Sequence, residues 1–179
     1  MLCKFLLFAF LILGAATTAA STDITLDYHY GGAHGVDFSS MPRGPLTIGK
    51  FRDARPQTDA HALGKLGTSA KPMAELVREA LIAGIAAGGG TLVSQGGKLI
   101  LSGRITEVKA GKSEKEIEVR IRSHVNLRTA AGAELFSGSI FGAASVDSTQ
   151  GGAAAVAAAL DKLVNSLLWN DYFLMQVID

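Results

Sequence analysis

Side chains able to do chemistry are thinly spread along this sequence, and their spacing is more informative about what they exclude than about what they do. Gly111, Lys112 and Ser113 have the order that ends a phosphate-binding loop, but the glycine such a loop needs five residues earlier is Thr106. The triplet also falls between two predicted strands, whereas a phosphate cradle needs a strand running into a helix whose first N–H groups point at the anion. Gly88, Gly89 and Gly90 follow a predicted helix instead of opening one, so both glycine clusters are read as turns and caps. The four histidines, His29, His34, His61 and His124, form no close helical pair. His29 and His34 flank a glycine turn near Asp27 and Asp37, which leaves only a weak surface site conceivable, with no spacing of a known metal signature. No Gly-x-Ser-x-Gly elbow occurs, and the acids are dispersed over predicted turns, helix surfaces and strand exteriors, where solvation accounts for them. No cofactor and no metal are expected, and no catalytic residue is assigned.

One group of charges stands apart. Arg120, Arg122 and Arg128 alternate along one predicted strand, and Arg104 lies on its neighbour. The forked guanidinium donors of arginine match carboxylate and phosphate groups, so these four are the candidate patch for an anionic partner. The competing reading is a solvated face with Glu107 and Glu118 as counter-charges across strands. The C-terminal run YFLMQVI (172–178) is a second candidate. It is read as a last edge strand, or as an apolar tail available for strand addition or self-association.

The elements that must position these residues follow from hydrophobic periodicity. Residues 24–30 (ITLDYHY) alternate apolar and polar and predict a first strand; 31–45, rich in Gly, Ser and Pro, predict a loop. LTIGKF (46–51) predicts a second strand ended by Asp53, Ala54, Arg55 and Pro56, with a polar surface loop over 57–70. From Pro72 onward, Met73, Leu76, Val77, Ala80, Leu81, Gly84 and Ile85 recur at spacings of three and four, the stripe of an amphipathic helix. Residues 98–109, 116–128 and 134–144 predict three consecutive strands joined by short turns, hence an antiparallel meander. In the middle one Ile117, Val119, Ile121, Val125 and Leu127 point one way, and Glu118, Arg120, Arg122, His124, Asn126 and Arg128 the other. Residues 151–169 predict a second helix on Val156, Leu160, Leu163, Val164, Leu167 and Leu168, alanine-rich in its first half and so able to pack closely. The order β-β-α-β-β-β-α gives an α+β two-layer sandwich, a mostly antiparallel sheet with both helices on its apolar face.

The first twenty residues predict export. Lys4 precedes an apolar run over 5–13, followed by small residues to Ser21, the pattern of a secretory signal peptide cleaved after Ala20. The run is shorter than the ~20 residues that span a bilayer. The one cysteine, Cys3, lies within this segment, so the remainder has no disulfide, thiol nucleophile or lipid attachment point at the cleavage site. Residues 21–179 are expected to form one domain, with no membrane span. Without Lys4 the basic and acidic residues balance at 16 each, which gives no reason to expect nucleic acid as a partner.

The layout resembles the YajG-like family of small bacterial envelope lipoproteins. The resemblance is carried by LTIGKF running into Asp53, Ala54, Arg55 and Pro56, by AELVREALIAGIAAGG (74–89) and by LILSGRITEVKA (99–110). IEVRIRSHVNLRTAAGAELFSG (117–138) and AAVAAALDKLVNSLL (154–168) complete it, so that it spans about 46–168. It implies a non-enzymatic envelope protein whose fold is similar to domains of periplasmic assembly and transport accessories, with no catalytic residues to carry over. Members carry a lipobox cysteine where this chain has Ala20, Ser21 and Thr22, so the expectation is a soluble periplasmic form, the alternative being outer-membrane association. The expected role is a binding or assembly module for an envelope protein, an anionic envelope component or a second copy of itself. The alternative is a small hydrolase or ligand-binding enzyme, which would need a pocket with converging carboxylates or a perturbed histidine. A third reading is a structural subunit that uses the C-terminal run as its interface.

Overall fold

The computed structural model describes residues 23–56 and 59–178, so the predicted signal segment lies outside the described residues. In chain order the elements are β1 (Asp23–Ile24), β2 (Leu46–Asp53), β3 (Thr68–Ser69), α1 (Met73–Ala87), β4 (Leu99–Lys112), β5 (Glu116–Thr129), β6 (Glu134–Asp147), α2 (Gly151–Leu168) and α3 (Asp171–Val177). The main sheet has the order β2-β4-β5-β6. Its last three strands are the expected antiparallel meander, while β2 joins β4 in parallel. α1 and α2 lie against one face of this sheet, giving the α+β two-layer sandwich.

The alternation in β5 settles which face is which. Ile117, Val119, Ile121, Val125 and Leu127 are all buried, as are Leu99, Leu101 and Ile105 of β4 beside them. Every residue of the α1 stripe from Met73 to Ile85 is buried, as the spacing predicts. The alanine-rich half of α2 packs as closely as its composition allows. At Gly142 of β6 an added Cβ would stand 2.6 Å from the backbone nitrogen of Leu163 and nearer still to the carbonyl of Ala159, so helix backbone rests directly on strand backbone. At Gly84 a Cβ would come within 2.3 Å of Val164 Cγ1, which sets the α1–α2 approach. α2 is apolar enough to cross a bilayer by composition, but half of it is buried in this core. Its apolarity is that of a core helix.

Two expectations are corrected. Residues 24–30 alternate as predicted, with Ile24, Leu26, Tyr28 and Tyr30 turned inward, yet only Asp23 and Ile24 pair, with β3 and outside the main sheet. The rest runs as an extended strap over the helices. Tyr28 donates to Asp161 at 2.6 Å and Tyr30 to Asn165 at 2.5 Å; His34 Nε2 bonds the Gly84 carbonyl at 3.0 Å, and Trp169 Nε1 donates to the His34 carbonyl at 2.8 Å. Burial first, then the bond to Asp161, pushes the Tyr28 phenol up, so it stays a neutral donor. The alternation was real because the strap is two-sided, but its inner side meets helices. The second correction is at the C-terminus. YFLMQVI is neither edge strand nor tail but the short helix α3, capped by Asn170, whose side chain accepts from the Phe173 amide at 3.1 Å. Phe173 and Val177, one turn apart, are buried, while Trp169, Tyr172 and Met175 are exposed.

The predicted turns around Gly111 and Asp53 both carry more structure than expected. Gly111 and Lys112 end β4, and Ser113 shapes the hairpin, its hydroxyl accepting from the amide of Glu116 at 3.0 Å. After β2, Arg55 folds back on Asp53 with Nε 2.8 Å from Oδ1 and Nη2 2.5 Å from Oδ2, and donates from Nη1 to the Ala62 carbonyl at 2.8 Å. The guanidinium is 2% exposed. Burial would raise the Asp53 carboxyl, but the hydrogen bonds and charge of Arg55 outweigh it and hold it below the usual carboxylate range. This pair ties the end of β2 to the segment around 60–62, within the stretch expected to be a surface loop.

Candidate functional site

With both large helices on one side, the other face of the sheet lies open, and the even-numbered residues of β5 line it. Strand register decides which charges meet there. Arg52 of β2 stands beside Arg104 of β4, and Arg104 stands opposite His124 of β5. Neighbouring strands are about 4.8 Å apart, so three basic side chains stand in a row across three strands. Lys50, Ser102, Asn126, Arg128, Glu134 and Ser137 complete the walls of one groove around this row. Among the described residues no carboxylate lies within ion-pair distance of Lys50, Arg52 or Arg104. Arg128 is 3.5 Å from Glu134, which also accepts from Asn126 Nδ2. His124 Nε2 lies 3.1 Å from the Ser137 hydroxyl.

The other end of the same face is different. Arg120 holds Glu118 with Nη2 2.6 Å and Nε 3.1 Å from one carboxylate oxygen. Glu107 is 2.8 Å from Lys109 and 3.9 Å from Arg122, and the bond to Lys109, ahead of the nearby arginine charges, holds its carboxyl below the usual range. The Arg122 guanidinium lies over the Phe141 ring at 5.6 Å. The four arginines singled out by the sequence therefore do not form one patch. Arg104 and Arg128 share the basic groove, Arg128 beside Glu134 and Arg104 without an acid among the described residues, whereas Arg120 and Arg122 sit at the other end with Glu118 and Glu107. Lys50, Arg52, His124 and Asn126 are among the groove residues that the sequence did not assign. His124 and Asn126 share the parity of the arginines in β5, a legible signal; Lys50 and Arg52 arrive only through the parallel pairing of β2 with β4.

The chemistry the sequence left open can be placed as well. His29 is 85% exposed beside Asp27, while His34 is turned onto the helices, so the two do not converge. Glu116 and Asp147 face each other across β5 and β6. Asp147 accepts from the hydroxyl and amide of Thr149, which hold it below the ordinary carboxylate range, the reverse of what a general acid needs. Ser145 donates to Glu116 at 3.1 Å. The groove, by contrast, presents positive charge without an acid at Lys50, Arg52 and Arg104 among the described residues, which suits binding of an anion.

No family model matches the sequence, and no curated protein matches it. Solved structures do. The chain shares the fold of protein XCC0632 from Xanthomonas campestris. That protein, described under the family model DUF330, is 15% identical, with a TM-score of 0.50 over 82% of this chain and 90% of its own. PelC from Paraburkholderia phytofirmans, solved as a dodecamer, is also similar, at 15% identity and TM-score 0.46 over 76% of this chain and 95% of that one. A lipoprotein from Neisseria meningitidis follows at 11% identity and TM-score 0.40, covering 62% of this chain and 88% of its own. The two-layer fold inferred from periodicity is thus one that a solved bacterial protein adopts at 15% identity.

Proposed function

We propose that this domain is a non-enzymatic binding module of the bacterial cell envelope, of YajG-like type, which engages an anionic envelope component through the basic groove on its open sheet face. The observation that carries the reading is the row Arg52, Arg104 and His124 with Lys50 beside it and, among the described residues, no carboxylate to balance Arg52 or Arg104. Like charges brought together across strands cost stability, on the order of 0.2–1 kcal/mol a pair, a cost that recognition of an anion would offset. Placement in the envelope is supported by the signal-peptide pattern ahead of residue 21 and by the family resemblance, and the missing cysteine favours a soluble periplasmic form.

Two measurements test the reading. Fractionation with N-terminal sequencing of the cellular protein should give an unlipidated periplasmic chain starting near Ser21; an uncleaved chain in the cytoplasm would remove the envelope assignment. Titration of the labelled domain with sulfate at low salt should move the resonances of Arg52, Arg104 and His124, and the double variant Arg52→Gln/Arg104→Gln should abolish that response. Shifts spread evenly over the surface, or equal at Arg120 and Arg122, would show that no anion site exists.

A further inference from the structure

The uncharged side chains of the groove say more about its ligand than the charges do. The Asn126 side chain donates through Nδ2 to Glu134, but its Oδ1 is buried with no hydrogen-bond partner among the described residues. A buried acceptor left without a donor costs about 1–3 kcal/mol, so such atoms in folded proteins are nearly always satisfied. The oxygen is shielded from solvent, so its donor must come from a neighbouring side chain that turns, or from a ligand that displaces the groups covering it. Ser102 and Ser137 add hydroxyls to the same walls, and among the described residues no Phe, Tyr or Trp lines the groove, His124 being its one ring. A neutral sugar, which binds largely by stacking its ring face on a broad apolar aromatic, finds only the polar imidazole of His124 here. An anion without hydroxyls would satisfy the arginines and leave Asn126 as it is.

We infer that the groove binds a hydroxylated anion, an acidic sugar unit whose carboxylate or phosphate meets Arg52 and Arg104 while a hydroxyl beside it donates to Asn126 Oδ1. The inference rests on the anion-binding reading above and narrows its ligand. Uronate and sugar-phosphate units offer the same pair of groups, and the two are separated by probe.

The test is a set of NMR titrations of the mature domain at low salt with four probes: glucuronate, glucose 1-phosphate, acetate and sulfate. Acetate and sulfate carry charge but no hydroxyl donor. At least one hydroxylated probe should bind about fivefold more tightly than its bare counterpart, the factor expected of one net hydrogen bond. Which of the two shows the larger preference identifies the carboxylate or the phosphate form. Asn126→Leu should remove the preference, read as the ratio of hydroxylated to bare affinity within that variant; Asn126→Ala serves if the leucine variant does not fold. Equal affinities for hydroxylated and bare probes in the wild-type domain overturn the inference and leave the anion site standing. A preference that survives both Asn126 variants also overturns it. Failure of all four probes to bind overturns the anion site itself.

Discussion

Arg52 and Arg55 leave the same strand end three residues apart, and their guanidinium groups meet opposite fates. Arg55 is buried against Asp53 and two backbone carbonyls, so its charge and donors are consumed in holding β2 to the 60–62 segment. Arg52 projects onto the open face beside Arg104 and has no acid within reach among the described residues. The pair shows how one short sequence divides its positive charge. A buried guanidinium must be fully satisfied or the fold loses several kcal/mol, whereas an exposed one can remain unmatched at small cost. The unmatched one is therefore where an external anion finds a free fork of donors.

That contrast can be broken from either side. The largest effect is expected from Asp53→Asn, which strips the charge partner from a guanidinium that stays buried; chemical denaturation should register a loss of about 3–5 kcal/mol. A loss below 1 kcal/mol would mean that the backbone carbonyls alone satisfy Arg55. The same pair predicts a pH dependence. Because the Asp53 carboxyl is depressed in the folded state, its stabilisation is present above the unfolded carboxylate value of about 3.9 and is lost as the pH falls through the lower folded value. The stability gap between wild type and Asp53→Asn should therefore be constant near neutrality and narrow below about pH 4. A gap independent of pH down to unfolding would contradict it.

Smaller effects of opposite sign are expected at the groove. Arg104→Gln removes a like-charge neighbour from Arg52, and should leave stability unchanged or raise it by up to about 1 kcal/mol while weakening anion binding. The gain should shrink with added salt, which screens exposed charges at a Debye length of about 8–10 Å. Melting curves at two ionic strengths measure it, and a clear loss of stability would assign Arg104 a structural role instead. The smallest change is predicted for Arg120→Gln, which breaks an exposed, solvent-screened pair with Glu118 and should leave both stability and the anion response essentially unchanged. If Arg120→Gln weakens anion binding as much as Arg104→Gln does, the two ends of the open face are not distinct.

Much of this architecture is legible along the chain because burial imprints a period. The α1 stripe and the alternation of β5 each identify an element and its inward face. The same logic misassigned residues 24–30, since period-two alternation reports a two-sided extended segment and is silent on whether a sheet or a pair of helices covers it. YFLMQVI was misread because a short apolar run does not separate strand from helix; the cap at Asn170 and the burial of Phe173 and Val177 one turn apart decide for α3. At the site, alternation put Arg104, Arg120, Arg122 and Arg128 on the open face, but it could not divide them. Glu118 is a local partner, two residues from Arg120 on the same strand, but it is register that sets Glu107 across from Arg122 and Glu134 across from Arg128 and leaves Arg104 opposite His124.

What the sequence determined by itself was the main elements, β2, α1, the meander β4 to β6 and α2, and the two faces of the sheet, because local periodicity and the cost of burying charge act residue by residue. Only the tertiary structure decided where positive charge goes unmatched. Laying β2 parallel to β4 sets Arg52 against Arg104, and no local pattern encodes that contact, because strand pairing is fixed by the packing of the whole sheet beneath its helices.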